Sequence, residues 1–249
     1  IYEANPDYWG EKAFAQNLIF RWSEQAAQRL LELQSGQADG IDNPLPEDFE
    51  TIEGDSNLAL YPRMPITIFY LGFQVALPPF DNPLVRKAIA YAIDRQRIVD
   101  QYQPIGSLLA KDFVPPSIVP GHNEKDEWYP YDPEKAKELL AEAGYADGLE
   151  ITLSFRNVVR PYLATPDKIA QEIQAQLAEV GITVKLNQME STAFIDSTSD
   201  GLEGFYMLGW TADYPGATNF YDYHFAADTN LQFGPLFPDT VENIRAAEQ

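Results

Sequence analysis

Residues 205–216 read Phe-Tyr-Met-Leu-Gly-Trp-Thr-Ala-Asp-Tyr-Pro-Gly. The part from 204 to 210 is apolar and rich in aromatic residues, with glycine near both ends, which predicts a short buried β-strand. Pro215-Gly216 marks the loop that follows this strand. Asp213 therefore lies just past the carboxyl end of a strand, which is where ligands bind in open α/β sheets.

Asp213 is the one acidic residue in a segment that is otherwise apolar and aromatic. An unpaired carboxylate in a poorly solvated place is costly, so such a group needs a partner. The functional hypothesis is that this partner is a ligand cation, with Trp210 and Tyr214 as the walls of the site. The alternative is a surface aspartate that caps a turn.

The rest of the chain alternates between helix and strand signals. Predicted helices begin at Asn82-Pro83 (running to about residue 100), at Asp132-Pro133 and at Thr165-Pro166, and a further helix is predicted over 24–34. Strands are predicted at 17–22, 38–41, 57–61, 67–73, 150–155 and 182–186. This alternation indicates an α/β fold. Pro62 and Pro65 suggest a domain boundary.

Arg160 follows the predicted strand 150–155 after a short loop. An arginine in a fixed, partly apolar loop suits bidentate binding of a carboxylate, although an ordinary surface arginine would look the same. Since Arg160 and Asp213 both follow strands, they could face one crevice and hold the two ends of a zwitterion. The alternative is that they are two unrelated surface charges.

Composition excludes several classes of function. The net charge of −21 argues against nucleic acid and anionic membranes as partners, and the absence of cysteine removes thiolate sites. His122 and His224 are the only histidines, and with Asp222 they make a weak case for a metal site. No nucleophile elbow and no phosphate-binding glycine-rich loop is present, so we expect no cofactor and no enzymatic activity.

Several motifs occur together in one order, and they resemble the family 5 extracellular solute-binding proteins, the peptide- and nickel-binding receptors of ABC importers. The motifs are Asn5-Pro-Asp-Tyr-Trp-Gly10, Pro79-Phe-Asp-Asn-Pro-Leu-Val-Arg86, Tyr131-Asp-Pro-Glu-Lys-Ala136, Arg160-Pro-Tyr162 and Gly209-Trp-Thr-Ala-Asp-Tyr-Pro215 followed by Asn219-Phe220. The resemblance implies a lobe of the periplasmic binding protein type II kind, with a mixed sheet and flanking helices. Residues 1–62 would be a fragment of lobe I near the hinge, and 63–249 would be a C-terminally truncated lobe II of a protein about twice as long.

The resemblance also implies a function, which is the capture of di- or oligopeptides in an interlobe cleft for uptake through an ABC permease. It implies that Asp213 pairs with the ligand ammonium group and that the Arg160-Pro-Tyr segment supplies an anion contact. The expected ligand-contacting residues are Asp213, Trp210, Arg160, Tyr214, Thr211 and Ala212. We expect a monomer in the periplasm or outside the cell, with a lipid anchor as one option for the full-length protein. The alternatives are the same receptor fold with an oligosaccharide or metal-chelate ligand and, less favoured, a glycoside hydrolase.

Overall fold

A computed structural model describes residues 1–23, 25–42, 44–45, 48–61, 66–104, 106–123 and 129–247. The chain divides into two compact units, residues 1–62 and residues 63–249. Their assignment to lobe I and lobe II stays a prediction. In the described ranges, no helix combines the length and apolar character needed to cross a bilayer.

The first unit has little regular structure. Strand β1 (Tyr2–Glu3) pairs antiparallel with β2 (Asn17–Leu18), and helices α1 (Ala26–Gln34) and α2 (Phe49–Gly54) follow. The predicted helix 24–34 is confirmed over Ala26–Gln34, and residue 24 lies outside the described residues. The strands predicted at 38–41 and 57–61 are wrong, and the one at 17–22 is reduced to two residues. The described residues of this unit provide no further strand for those segments to pair with.

The second unit is built on a four-stranded mixed sheet. Its strands are β3 (Thr67–Phe73), β4 (Leu149–Arg156), β5 (Ile182–Met189) and β6 (Phe205–Thr211), in the order β3-β6-β4-β5. Strand β4 is parallel to both of its neighbours, whereas β3 runs antiparallel to β6 with Thr67 opposite Thr211. The predicted strands of this unit and the α/β fold with a mixed sheet and flanking helices are confirmed.

Helices surround this sheet. They are α3 (Pro83–Ala92), α4 (Arg95–Tyr102), α5 (Pro133–Glu142), α6 (Pro166–Ala178), α7 (Ser191–Ser199), α8 (Thr218–Tyr221), a π-helical turn (Asp222–Ala226) and α9 (Pro238–Ala247). The single helix predicted from residue 82 to 100 is two helices. It breaks because the Asp94 side chain accepts a hydrogen bond from the Arg97 backbone and begins a new helix.

Two hydrophobic clusters hold this unit together. The larger one joins helices α3, α4, α5 and α6 to the sheet through residues such as Ile89, Leu153 and Ile173. The smaller one packs Ile68 of β3 and Ala212 against Phe220, Val114 and Ile118. Both clusters fix β6, so the residues that follow it are held in a defined place.

The strand directions locate the site. Since β4 and β6 are parallel neighbours, their carboxyl ends, Arg156 and Thr211, lie at the same edge of the sheet. Arg160 and Asp213 each follow one of these ends by a few residues. The topology therefore brings both predicted charged residues to one edge.

Candidate functional site

A cavity of about 330 Å³ opens at this edge of the sheet, within the unit 63–249. Four of the predicted ligand-contacting residues line it: Arg160, Trp210, Thr211 and Asp213. Its other lining residues include Tyr70, Arg156, Tyr162, Tyr223, His224 and Gln232. Tyr214 and Ala212, which were predicted alongside them, do not line it.

Asp213 lies at the rim of the cavity. Its backbone N–H donates to Asn219 Oδ1 at 3.2 Å, and its carboxylate makes no ion pair with any residue that the structure describes. The residue is exposed, so the expectation that it sits in a poorly solvated place is wrong for this unit taken by itself. The carboxylate is thus open to solvent and to a ligand.

Trp210 forms the aromatic wall, but its partner is not the one predicted. Tyr223 stacks on it with ring centroids 4.8 Å apart and an angle of 18° between the planes. The indole N–H donates to Asn219 Oδ1 at 2.8 Å, which fixes the ring. Tyr214 instead points its hydroxyl at Thr218 Oγ1, 3.0 Å away, and is half exposed.

Ala212 packs in the hydrophobic interior and does not face the cavity. It is buried in the smaller hydrophobic cluster, and its backbone N–H donates to the carbonyl oxygen of Ile66 at 2.9 Å. This contact extends the pairing of β6 with β3 by one residue beyond Thr211. Ala212 thereby sets the direction in which the chain leaves the sheet toward Asp213.

Arg160 is held in a tight turn. Its backbone N–H donates to the Leu163 carbonyl at 3.0 Å, and the Leu163 N–H donates back at 2.9 Å. The guanidinium donates to the Val159 carbonyl at 3.3 Å and forms no ion pair among the described residues. Most of its donor capacity is therefore free for an anion.

Arg156, the last residue of β4, was not predicted as a site residue. It is half-buried and lines the cavity, where it donates to Ser191 Oγ at 2.9 Å and lies 3.4 Å from the Tyr162 hydroxyl. In the sequence, only its position at a strand end indicates a role in the site.

The Tyr162 ring lies directly over Gly209, where a Cβ atom would overlap both the ring and the Ile68 carbonyl oxygen.

His224 lies buried behind the aromatic wall. Its Nδ1 is 2.6 Å from the Phe220 carbonyl oxygen, which can only accept, so Nδ1 carries the proton. Burial lowers the pKa of His224 to about 4, and the imidazole is neutral at pH 7. Its Nε2 is buried without a hydrogen-bond partner in the described structure.

The metal hypothesis gains no support from these contacts. His224 is enclosed by aromatic rings, including Trp210 at 4.9 Å and Phe113 at 5.0 Å. His122 directs its Nδ1 to the Val114 carbonyl oxygen at 2.7 Å. Over the described part of the chain, no three His, Asp or Glu side chains converge as metal ligands would.

Uncharged hydroxyl and amide groups also line the cavity. Tyr70 and Gln232 are two of them, and the Tyr70 hydroxyl donates to Gln232 Oε1 at 2.7 Å. The buried Tyr206 hydroxyl, which is not part of the lining, donates to the Gln232 carbonyl oxygen at 3.0 Å and helps to hold this residue. Burial raises the pKa of both tyrosine hydroxyls well above the usual range, so both stay protonated. The site thus offers fixed donors and acceptors, an aromatic wall and opposite charges, which suits binding of a polar ligand.

Comparison with known proteins gives consistent matches along the chain. Residues 1–232 match the family described as bacterial extracellular solute-binding proteins, family 5 Middle. The chain is 32% identical over 255 residues to a dipeptide-binding protein of Escherichia coli (strain K12). The aligned region covers 99% of this chain and 47% of that protein. The chain spans about half the length of the curated relatives it matches.

Solved structures show the same fold. HbpA2 from Haemophilus parasuis superposes with a TM-score of 0.82 at 32% identity, over 100% of this chain and 49% of that one. The periplasmic binding protein DppA from Helicobacter pylori, in complex with the peptide STSA, gives a TM-score of 0.76 at 28% identity, over 98% and 49% of the two chains. These similarities extend over both units of the chain.

Proposed function

Because this chain belongs to family 5 of the bacterial extracellular solute-binding proteins, we propose that it forms part of a receptor that captures short peptides for an ABC importer. The observation that carries this proposal is the placement of Arg160 and Asp213 on one cavity beside the Trp210 wall. A free peptide has a carboxylate at one end and an ammonium group at the other. Arg160 and Asp213, a cation and an anion on the same cavity, match these two ends.

Each side chain has a part in the proposed recognition. Arg160 binds the peptide carboxylate through its guanidinium, whose planar donors match two carboxylate oxygens. Asp213 accepts hydrogen bonds from the peptide ammonium group. Trp210, which is stacked on Tyr223, supplies the apolar surface for a peptide side chain. No step of bond cleavage is involved, because the receptor only has to hold and release its ligand.

The full-length receptor completes this site. In the proposed arrangement, residues 1–62 belong to lobe I and residues 63–249 to lobe II, and the two lobes close on the ligand by a hinge motion. The receptor acts as a monomer outside the cytoplasmic membrane, free or lipid-anchored, and delivers the peptide to a membrane permease. The names of the compared proteins support a peptide ligand: one is a dipeptide-binding protein and another was solved with a bound peptide.

The ligand carried by the purified full-length protein tests the proposal. We expect mass spectrometry of the ligand released by denaturation to identify short peptides. Added di- and tripeptides should then bind the ligand-free protein in calorimetry. Release of a saccharide or a metal chelate, together with no heat on titration with peptides, would contradict the proposed function.

A further inference from the structure

Arg156 is a second positive group on the cavity, and the hydrogen bonds of its guanidinium in the described structure are with neutral groups. Its guanidinium donates to the Ser191 hydroxyl at 2.9 Å and lies 3.4 Å from the Tyr162 hydroxyl. The acid next to Ser191 in the chain, Glu190, is committed elsewhere, because its carboxylate accepts hydrogen bonds from the backbone of Thr192 and Ala193 and caps α7. No described acid forms an ion pair with Arg156.

These contacts leave most of the guanidinium unused. An arginine has five N–H donors, and the separation of 3.4 Å is longer than a typical hydrogen bond of 2.7–3.2 Å. Because Arg156 is half-buried, its charge is only partly solvated, and such charges are normally paired. The geometry therefore leaves room for an anionic partner that the protein itself does not provide.

The charges around the cavity are unequal. Two arginines, Arg156 and Arg160, line it, and Asp213 is the one acid among its described lining residues. His224 is neutral at pH 7, because its pKa is lowered to about 4. The cavity lining thus carries an excess of one positive charge, in a chain whose net charge is −21. A zwitterionic peptide that uses Arg160 and Asp213 leaves Arg156 without a counter-ion.

We propose that Arg156 is a specificity-determining residue that binds a second carboxylate, so that the receptor prefers short peptides with an aspartate or glutamate side chain. This inference rests on the proposed peptide-binding function. Arg156 binds the acidic side chain, while Arg160 and Asp213 hold the two ends of the peptide. The Ser191 hydroxyl holds the guanidinium in place, which lowers the entropy that the arginine loses when it binds.

Matched peptides test the proposal on the full-length receptor. The probes are Ala-Glu-Ala with Ala-Gln-Ala and Glu-Ala with Gln-Ala, which differ only by the charge of one side chain. In calorimetry at low salt, the wild-type receptor should bind the glutamate member of at least one pair tenfold or more tightly than the glutamine member. Equal affinities within both pairs would overturn the inference and leave the proposed function intact, whereas binding of no peptide at all would overturn both.

Variants assign the preference to Arg156. Arg156→Met should reduce the glutamate-to-glutamine preference to less than about twofold and change affinity for the glutamine peptide by less than about threefold. Lys168→Met removes one positive charge from an exposed position on α6 outside the cavity, and it should keep the wild-type preference. Arg156→Lys retains the charge without the planar donor pair and should give an intermediate preference.

An equal loss of affinity for both members of a pair in Arg156→Met would show that Arg156 only supports Tyr162, and it would overturn the inference. The inference would also be overturned if Arg156→Met kept the full preference for the glutamate peptide. If Arg156→Met does not fold, the wild-type comparison and Arg156→Lys still decide the question. If Arg156→Lys kept the wild-type preference for the glutamate peptide, binding through the planar guanidinium would be contradicted.

Discussion

At the scale of single residues, Asn219 organises the rim of the cavity. It is buried, and its side-chain oxygen accepts hydrogen bonds from both the Trp210 indole and the Asp213 backbone. One amide therefore positions the aromatic wall and the acid that follows it. Asn219 belongs to the same sequence motif as Trp210 and Asp213, but the motif alone does not show that its side chain holds those two residues.

Replacement of Asn219 by alanine should disturb both groups at once. It removes the hydrogen bond from the half-buried Trp210 N–H, and the loss of such a bond costs about 0.5–1.5 kcal/mol of folding stability. We also expect weaker peptide binding, because the indole and the Asp213 carboxylate lose their fixed positions. Urea unfolding and calorimetry on the full-length protein measure the two effects.

Asn187→Ala is the matched control for this prediction. Its side chain donates to Ser154 Oγ at 3.2 Å and does not line the cavity. The control should lose stability without a change in peptide affinity. Peptide binding that is unaltered in Asn219→Ala would show that Trp210 and Asp213 are positioned by other contacts.

At the scale of elements, the π-helical turn Asp222–Ala226 holds a buried neutral histidine. In the unfolded chain His224 titrates near 6.5, whereas burial lowers its pKa in the folded chain to about 4. Above pH 6.5 neither state binds a proton at this residue, and stability is unaffected. Between pH 6.5 and 4 the proton binds mainly to the unfolded state, so the folded state loses stability as the pH is lowered. At pH 4 the free energy of unfolding is smaller than at pH 7 by roughly 3 kcal/mol from this residue.

His224→Phe should remove this part of the pH dependence, because phenylalanine cannot titrate and fits an aromatic environment. The measurement is urea unfolding of wild type and variant at several pH values between 7 and 4.5. Carboxylates contribute to both proteins alike, so the difference between the two curves isolates His224. Parallel curves over this range would mean that the histidine is not buried in its neutral form.

Much of the second unit could be predicted from the sequence because its elements have local signals. Proline and a capping residue begin α5, as predicted, and period-two alternation marks β4. Helix α7 was missed because its sequence is rich in serine and threonine and its cap is Glu190, which is not a typical capping residue. The break at Asp94 was missed because the apolar stripe on either side of it is continuous.

The site was predicted only in part, for a related reason. Asp213 and Arg160 follow strands within motifs, so the sequence could indicate them. Arg156 belongs to the cavity through the packing of β4 beside β6. Contacts of this kind depend on the tertiary fold, and no local pattern predicts them.

At the scale of the whole molecule, the strand predictions were least accurate in residues 1–62. Segments 38–41 and 57–61 were predicted as strands, yet a strand needs a neighbour to pair with, and the described part of this unit gives them none. In that part, Leu30 and Ile52 are the only buried hydrophobic residues. The second unit, by contrast, contains all of the charged residues on which the proposed recognition depends.

The central claim is that Asp213 binds the ammonium group of a peptide, and affinity measurements on the full-length receptor test it most directly. Wild type and Asp213→Asn are each titrated with a free peptide and with the same peptide acetylated at its amino group. Asp228→Asn serves as the control, because Asp228 is exposed, lies outside the cavity lining, and loses the same charge on substitution.

We expect Asp213→Asn to weaken binding of the free peptide at least tenfold, because the ammonium group of the peptide loses its counter-ion. The acetylated peptide has no ammonium group and should lose less than about threefold, and Asp228→Asn should alter neither affinity. Folding should persist, since asparagine is nearly isosteric with aspartate and Asp213 is exposed. An equal loss of affinity for the free and the acetylated peptide would contradict the account, since Asp213 would then act on the structure of the site and not on the charge of its ligand.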